Sequence, residues 1–165
     1  MNSLIQGVDS VPLNLMTQKR IAATAGAVLL TQANKRRLEQ LLSALSPESS
    51  PESAISLLRK KLDQATVVGA GIPRNYVTMG STVSIIDAKT SEKLKFSLVY
   101  PDRVNFALGR VSVFSPLGAT ILGHRVGDEP DWGEDDEIGR FVIAKVDFQP
   151  EAMRRRLRRD NRFDS

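Results

Sequence analysis

Three groups of side chains in this chain have the types and spacing to do chemistry. Glu48 and Glu52 are two carboxylates separated by Ser49, Ser50 and Pro51. Paired carboxylates are equipment for metal-assisted chemistry. Asp131–Glu137 sets Trp132 beside Glu134, Asp135, Asp136 and Glu137, a supply of oxygen donors suited to magnesium or calcium. EF-hand spacing is missing, and a charge run of this kind reads as a solvated hairpin tip. The third group is arginine. Arg154, Arg155, Arg156, Arg158, Arg159 and Arg162 follow Pro150 against only Glu151, Asp160 and Asp164, so the tail carries +3 of a net +4. Such a tail can track phosphates or an acidic protein surface, with strong salt dependence. No aromatic interleaves the arginines before Phe163, which leaves base stacking unsupported.

Other chemistries lose their equipment. Cysteine is absent, which excludes disulfides, thiolate nucleophiles and Cys-based zinc sites and fits a reducing, cytoplasmic setting. His124 is the only histidine, so a multi-histidine metal site or a Ser-His-Asp triad would need unusual help. It reads as exposed after a short helix, without a role. Gly69-Ala-Gly71 follows two valines but lacks a third glycine and an opening helix, and Pro73 follows, so it is a linker rather than a dinucleotide turn. No apolar run approaches the roughly 18–20 residues that span a bilayer, and no signal peptide is evident. No cofactor and no metal are expected.

The elements that would position these groups follow from periodicity. Residues 1–26 show little and read as an extension, partly helical around Met16–Thr24. A short strand is expected at Ala27–Leu30. Thr31 then caps a helix with Leu38, Leu41, Leu42 and Leu45 on one face. Ser46–Pro51 breaks it. Ser50 as N-cap, Pro51 in the first turn and Glu52 start a second helix, with Ile55, Leu58 and Leu62 inward. Two such helices make an antiparallel hairpin with arms about 20 Å long. After a Gly/Pro linker the period changes to two. Val83 and Ile85 share one side of a strand, and Leu94, Phe96, Leu98 and Tyr100 alternate along the next. Arg110–Phe114 is a third strand. Ser115 caps a single short helix, with Pro116 at its first position and Gly123 at its end. Arg140–Phe148, near-continuously apolar, reads as a central strand. Met153 and Leu157 allow an amphipathic turn or two in the tail, and a disordered solubilising tail and a nucleic-acid or polymerase contact are equal alternatives for its role. The fold class is α+β.

Four segments, Val77-Thr-Met-Gly-Ser81, Leu98-Val-Tyr-Pro101, Val111–Asp128 and Val146–Ala152, in this order resemble the regulator of nucleoside diphosphate kinase family, relatives of the bacterial Gre transcript-cleavage factors. The resemblance covers roughly Val28 to Ala152. It implies an amino-terminal helical hairpin followed by a carboxy-terminal antiparallel sheet domain of FKBP-like fold. It also implies a partner, bacterial RNA polymerase, on whose secondary-channel rim the Gre domain docks while a long coiled-coil hairpin brings tip carboxylates and magnesium to the active centre. With a short hairpin, the resemblance implies binding without cleavage. The corresponding domains are residues 1–26 (extension), 27–66 (hairpin), 67–75 (linker), 76–149 (sheet domain) and 150–165 (basic tail).

Where the Gre domain has Asp-Ser-Pro before its short helix, this chain has Phe114-Ser115-Pro116. The resemblance implies that these three residues meet the partner. The residues themselves also allow Phe114 to face the core and Ser115 and Pro116 to be only a helix cap. For the tip, Glu52 reads more simply as a favourable helix-start charge than as a ligand. Arg154, Arg155, Arg156, Arg158 and Arg159 are candidates for electrostatic contact with nucleic acid or polymerase. The leading expectation is a monomeric, non-catalytic regulator of transcription. An active Gre-type cleavage factor is the alternative. A prolyl isomerase, suggested by fold analogy alone, is remote because an aromatic content of 5% leaves little for an aromatic pocket.

Overall fold

The computed structural model describes residues 28–46, 48, 51–69, 71–130 and 140–161. It opens with β1 (Leu29–Leu30), α1 (Gln32–Ser43), α2 (Glu52–Asp63) and β2 (Thr66–Val67). Thr31 caps α1, its side chain accepting from the Asn34 N–H at 3.2 Å. Leu38 and Leu42 of α1 meet Ala54, Ile55, Leu58 and Leu62 of α2 as the buried faces. At twelve residues each, the arms are about 18 Å long. Pro51 itself takes the cap position of α2, one residue later than the sequence suggests, with Glu52 in the first turn. Ser50, Ala27 and the Met16–Thr24 stretch lie outside the described residues.

β1 and β2 run parallel and tie the two ends of the hairpin together, pairing Leu29 with Thr66 and Leu30 with Val67. Two-residue strands carry no period, so β2 is not legible in the sequence, which places Thr66 at the end of the hairpin and Val67 at the start of the linker. The hairpin is therefore closed at its base by backbone hydrogen bonds, at 2.9 Å from Thr66 N–H to Val28 O and from Val68 N–H to Leu30 O.

The main sheet contains β3 (Thr82–Asp87), β4 (Lys93–Val99), β5 (Arg110–Ser112) and β6 (Phe141–Phe148), in the order β5-β4-β3-β6. β3 pairs antiparallel with both β4 and β6, while β5 joins β4 in parallel. Among the described residues β6 is thus an edge strand and not a central one. Its apolar run reads as central because Phe141 and Ile143 are buried, and because a loop covers its outer side. Gly127 N–H donates to Ile143 O at 2.8 Å and Ile143 N–H to Asp128 O at 3.0 Å. β5 stops at Ser112, two residues short of expectation, where the chain turns into α3 (Pro116–Ile121).

Hairpin and sheet share one continuous apolar core. Leu38 and Leu58 belong to the same buried cluster as Val83, Leu98, Ile121 and Ile143. The turn after α3 closes onto the hairpin's base: Gly123 has φ +88°, and a Cβ there would come within 2.8 Å of Val28 Cγ2. The tail is ordered as α4 (Pro150–Asp160) through much of its arginine run.

Candidate functional site

The loop joining β5 to α3 is built from serine hydroxyls. Ser112 Oγ accepts from Phe114 N–H at 2.9 Å, and Ser115 Oγ donates to Ser112 O at 2.7 Å while accepting from Gly118 N–H at 3.1 Å. Ser115 is the N-cap and Pro116 the first helical residue, so the expected cap is in place. The two are half-buried and reach solvent. Phe114 does not; at 5% exposure it belongs to the core. Of the three residues proposed to meet a partner, its side chain is withdrawn and leaves Ser115 and Pro116 as the surface. Gly118 lets this corner close, because a Cβ there would overlap the Ser112 carbonyl oxygen.

The other end of α3 is gripped by the hairpin. Lys61 of α2 donates through Nζ to the carbonyls of Ala119 (2.8 Å), Thr120 (2.6 Å) and Leu122 (2.7 Å). A cation at a helix C-terminus complements the helix dipole, and three acceptors match the three protons of an ammonium. Burial pulls the Lys61 pKa down to about 7. Sequence reasoning missed Lys61. The available signal was its position three residues after Leu58, on the border of the apolar face.

His124, expected to be exposed and idle, is half-buried instead. Its Nδ1 lies 3.2 Å from Asp128 Oδ2, which also accepts from Arg125 N–H at 2.8 Å. Burial works to raise the Asp128 carboxyl pKa. The hydrogen bonds from His124 and Arg125, with their charges, outweigh it and hold the carboxyl below its ordinary value. This pair fixes the loop whose Gly127 and Asp128 cover β6.

Glu48 and Glu52 are both exposed at the hairpin end, and neither forms an ion pair among the described residues. The residues between them that would define the tip, Ser49 and Ser50, lie outside the described set, as does the acidic stretch at 131–139. Arg154, Arg156, Arg158 and Arg159 are exposed along α4, and Arg155 is half-buried. The root of α4 is fixed. Glu151, buried, accepts from the Thr78 hydroxyl at 2.7 Å and from Asn34 Nδ2 at 3.3 Å. Gln149 Nε2 donates to Pro73 O and Tyr76 O. No helix among the described residues is long and apolar enough to cross a membrane.

A closed helical stub is seated on an antiparallel-rich sheet, with one short helix at the sheet's corner, an α+β architecture. The profile of the family described as "Transcription elongation factor, GreA/GreB, C-term" matches residues 72–147. Transcription elongation factor GreA of Thermodesulfovibrio yellowstonii is 35% identical over 108 residues, covering 65% of this chain and 68% of that protein. The regulator of nucleoside diphosphate kinase of Escherichia coli K12 is 28% identical over 127 residues, 76% of this chain and 92% of that protein. The solved structure of the GreA/GreB factor from Nitrosomonas europaea superposes with a TM-score of 0.62 at 32% identity, over 74% of this chain and 98% of that one. The chain belongs to the GreA/GreB transcription elongation factor family. Its relatives are transcription factors and regulators, including the regulator of nucleoside diphosphate kinase.

Proposed function

We propose that this protein is a monomeric, non-catalytic regulator that binds bacterial RNA polymerase near its secondary channel, in the cytoplasm where the polymerase works. The observation that carries the reading is the hairpin: two arms of twelve residues, tied at the base by β1 and β2 and held on α3 by Lys61. A stub about 18 Å long can rest on a channel rim but cannot deliver Glu48 and Glu52 to a distant metal. The near full-length similarity to the regulator of nucleoside diphosphate kinase, which spans 92% of that protein, supports the same reading. We take residues 27–66 as the hairpin domain, 76–149 as the docking domain, 67–75 as the linker between them, and residues 1–26 as an extension. Ser115 and Pro116 form the docking surface. The arginines of residues 150–165 add electrostatic attraction to the polymerase or its nucleic acid.

The test is transcript cleavage on stalled elongation complexes. Added protein should give no stimulation, and a variant with Glu48→Ala and Glu52→Ala should behave identically. Efficient cleavage that disappears in the double variant would establish the alternative, a Gre-type cleavage factor.

A further inference from the structure

Three guanidinium-bearing side chains from three separate elements line one cavity of about 380 Å³: Arg37 of α1, Arg103 of the turn after β4, and Arg154 of α4. Its polar wall is a connected chain. Tyr100 OH donates to Asn34 Oδ1 at 3.0 Å, and Asn34 Nδ2 donates to Glu151 Oε1 at 3.3 Å. The second Glu151 oxygen is taken by the Thr78 hydroxyl. Glu151 therefore has a neutral donor on each oxygen and forms no ion pair with any of the three arginines.

Compensation for the cations is incomplete. Among the described residues, Asp102 serves both Arg37 (3.5 Å) and Arg103 (3.8 Å), from an exposed position. Arg154 makes no ion pair among the described residues. Three guanidinium-bearing residues lining one cavity against a single lining carboxylate, Glu151, leave an excess of positive charge there, and the planar fork of arginine suits oxyanions in particular. The volume falls in the range of small-molecule sites, roughly 300–1,000 Å³. The Arg37 guanidinium covers one face of the Tyr100 ring at 4.0 Å from its centroid, so that face is not open for a base to stack on. That favours a compact anion over a nucleic-acid strand.

We propose that this cavity binds a compact multivalent oxyanion of about the size of pyrophosphate, bridging the hairpin, the sheet and the carboxy-terminal helix. The site is separate from the Ser115-Pro116 surface and does not depend on polymerase docking. Titration calorimetry of the full chain at low salt, with pyrophosphate in one arm and citrate in another, separates phosphate from carboxylate sources. Saturable one-to-one binding is expected for at least one. Arg154→Gln and Arg37→Gln should each weaken it by about tenfold or more, whereas Arg158→Gln and Arg159→Gln should leave it within about twofold. Arg154 is exposed on α4, so its variant keeps the test decisive even if Arg37→Gln perturbs the hairpin. Absence of saturable binding by either anion up to millimolar concentration overturns the proposal. So does an equal loss from Arg158→Gln or Arg159→Gln, which would mean diffuse attraction to the tail. So does a single-stranded oligonucleotide that binds at these arginines and is not displaced by either anion.

Discussion

Lys61 Nζ lies 2.6 Å from the carbonyl oxygen of Thr120, 59 residues further along the chain. This contact, with its neighbours at Ala119 and Leu122, joins the hairpin to the helix whose opposite end presents Ser115 and Pro116. Replacing Lys61 by Met keeps much of the apolar stem but strips three carbonyls of a shared donor. The expected loss is on the order of 2 kcal/mol of unfolding free energy, read from the denaturation midpoint at unchanged slope. An unchanged midpoint would show that the grip contributes nothing to stability.

Gly118→Ala should be costly for a different reason. The new methyl meets the backbone carbonyl of Ser112, which cannot move without shifting β5. Overpacking of this kind costs about 1–3 kcal/mol. Thermal unfolding of the variant should show a clearly lowered midpoint, whereas Leu117→Ala, on a half-buried neighbour, should cost less.

Asp128 gives the chain an acid-sensitive contact. Its native carboxyl pKa is below the ordinary 3.8, so the unfolded chain binds more protons as the pH drops past that value. The stability it contributes is fully present above pH 3.8 and is lost as the pH falls through the lower native value. The gap in unfolding free energy between wild type and Asp128→Asn should therefore close as the pH falls below 3.8. A gap that persists at the lowest pH would assign the effect to packing rather than charge.

Much of this was legible in the residues. Leu38, Leu41 and Leu42 spell out one helix face, although the helix ends at Ser43 and leaves Leu45 beyond it, Leu94 to Tyr100 spell out a strand, and Ser115-Pro116 spells out a helix start. These are local patterns, set by backbone period and capping. What escaped depends on partners far along the chain. β2 exists because Thr66 and Val67 find β1, β6 is an edge because of where β3 lies, and Lys61 matters because α3 ends beneath it. The tail shows both sides. Met153 and Leu157 hinted at a helix, yet its anchor is Glu151 on Thr78, 73 residues away.

That anchor shapes how the tail must be tested. Cutting the chain after Pro150 would also remove buried Glu151 and its bonds to Asn34 and Thr78. Exchanging Arg156, Arg158 and Arg159 for Gln leaves the root of α4 intact. Polymerase binding by this variant should lose part of its salt sensitivity without being abolished. Binding that is unaffected across the salt range would exclude the tail from the contact.

The most direct measurement is equilibrium binding of the labelled full chain to bacterial core RNA polymerase, wild type beside Pro116→Ala. Proline at the first helical position mainly preorganises the turn, so the variant should fold with a similar midpoint. Saturable binding by wild type, weakened in Pro116→Ala at matched stability, is the expected result. No saturable complex with wild-type protein at any accessible concentration would contradict a polymerase-binding role outright, and equal affinity of the two proteins would move the docking surface away from Ser115 and Pro116.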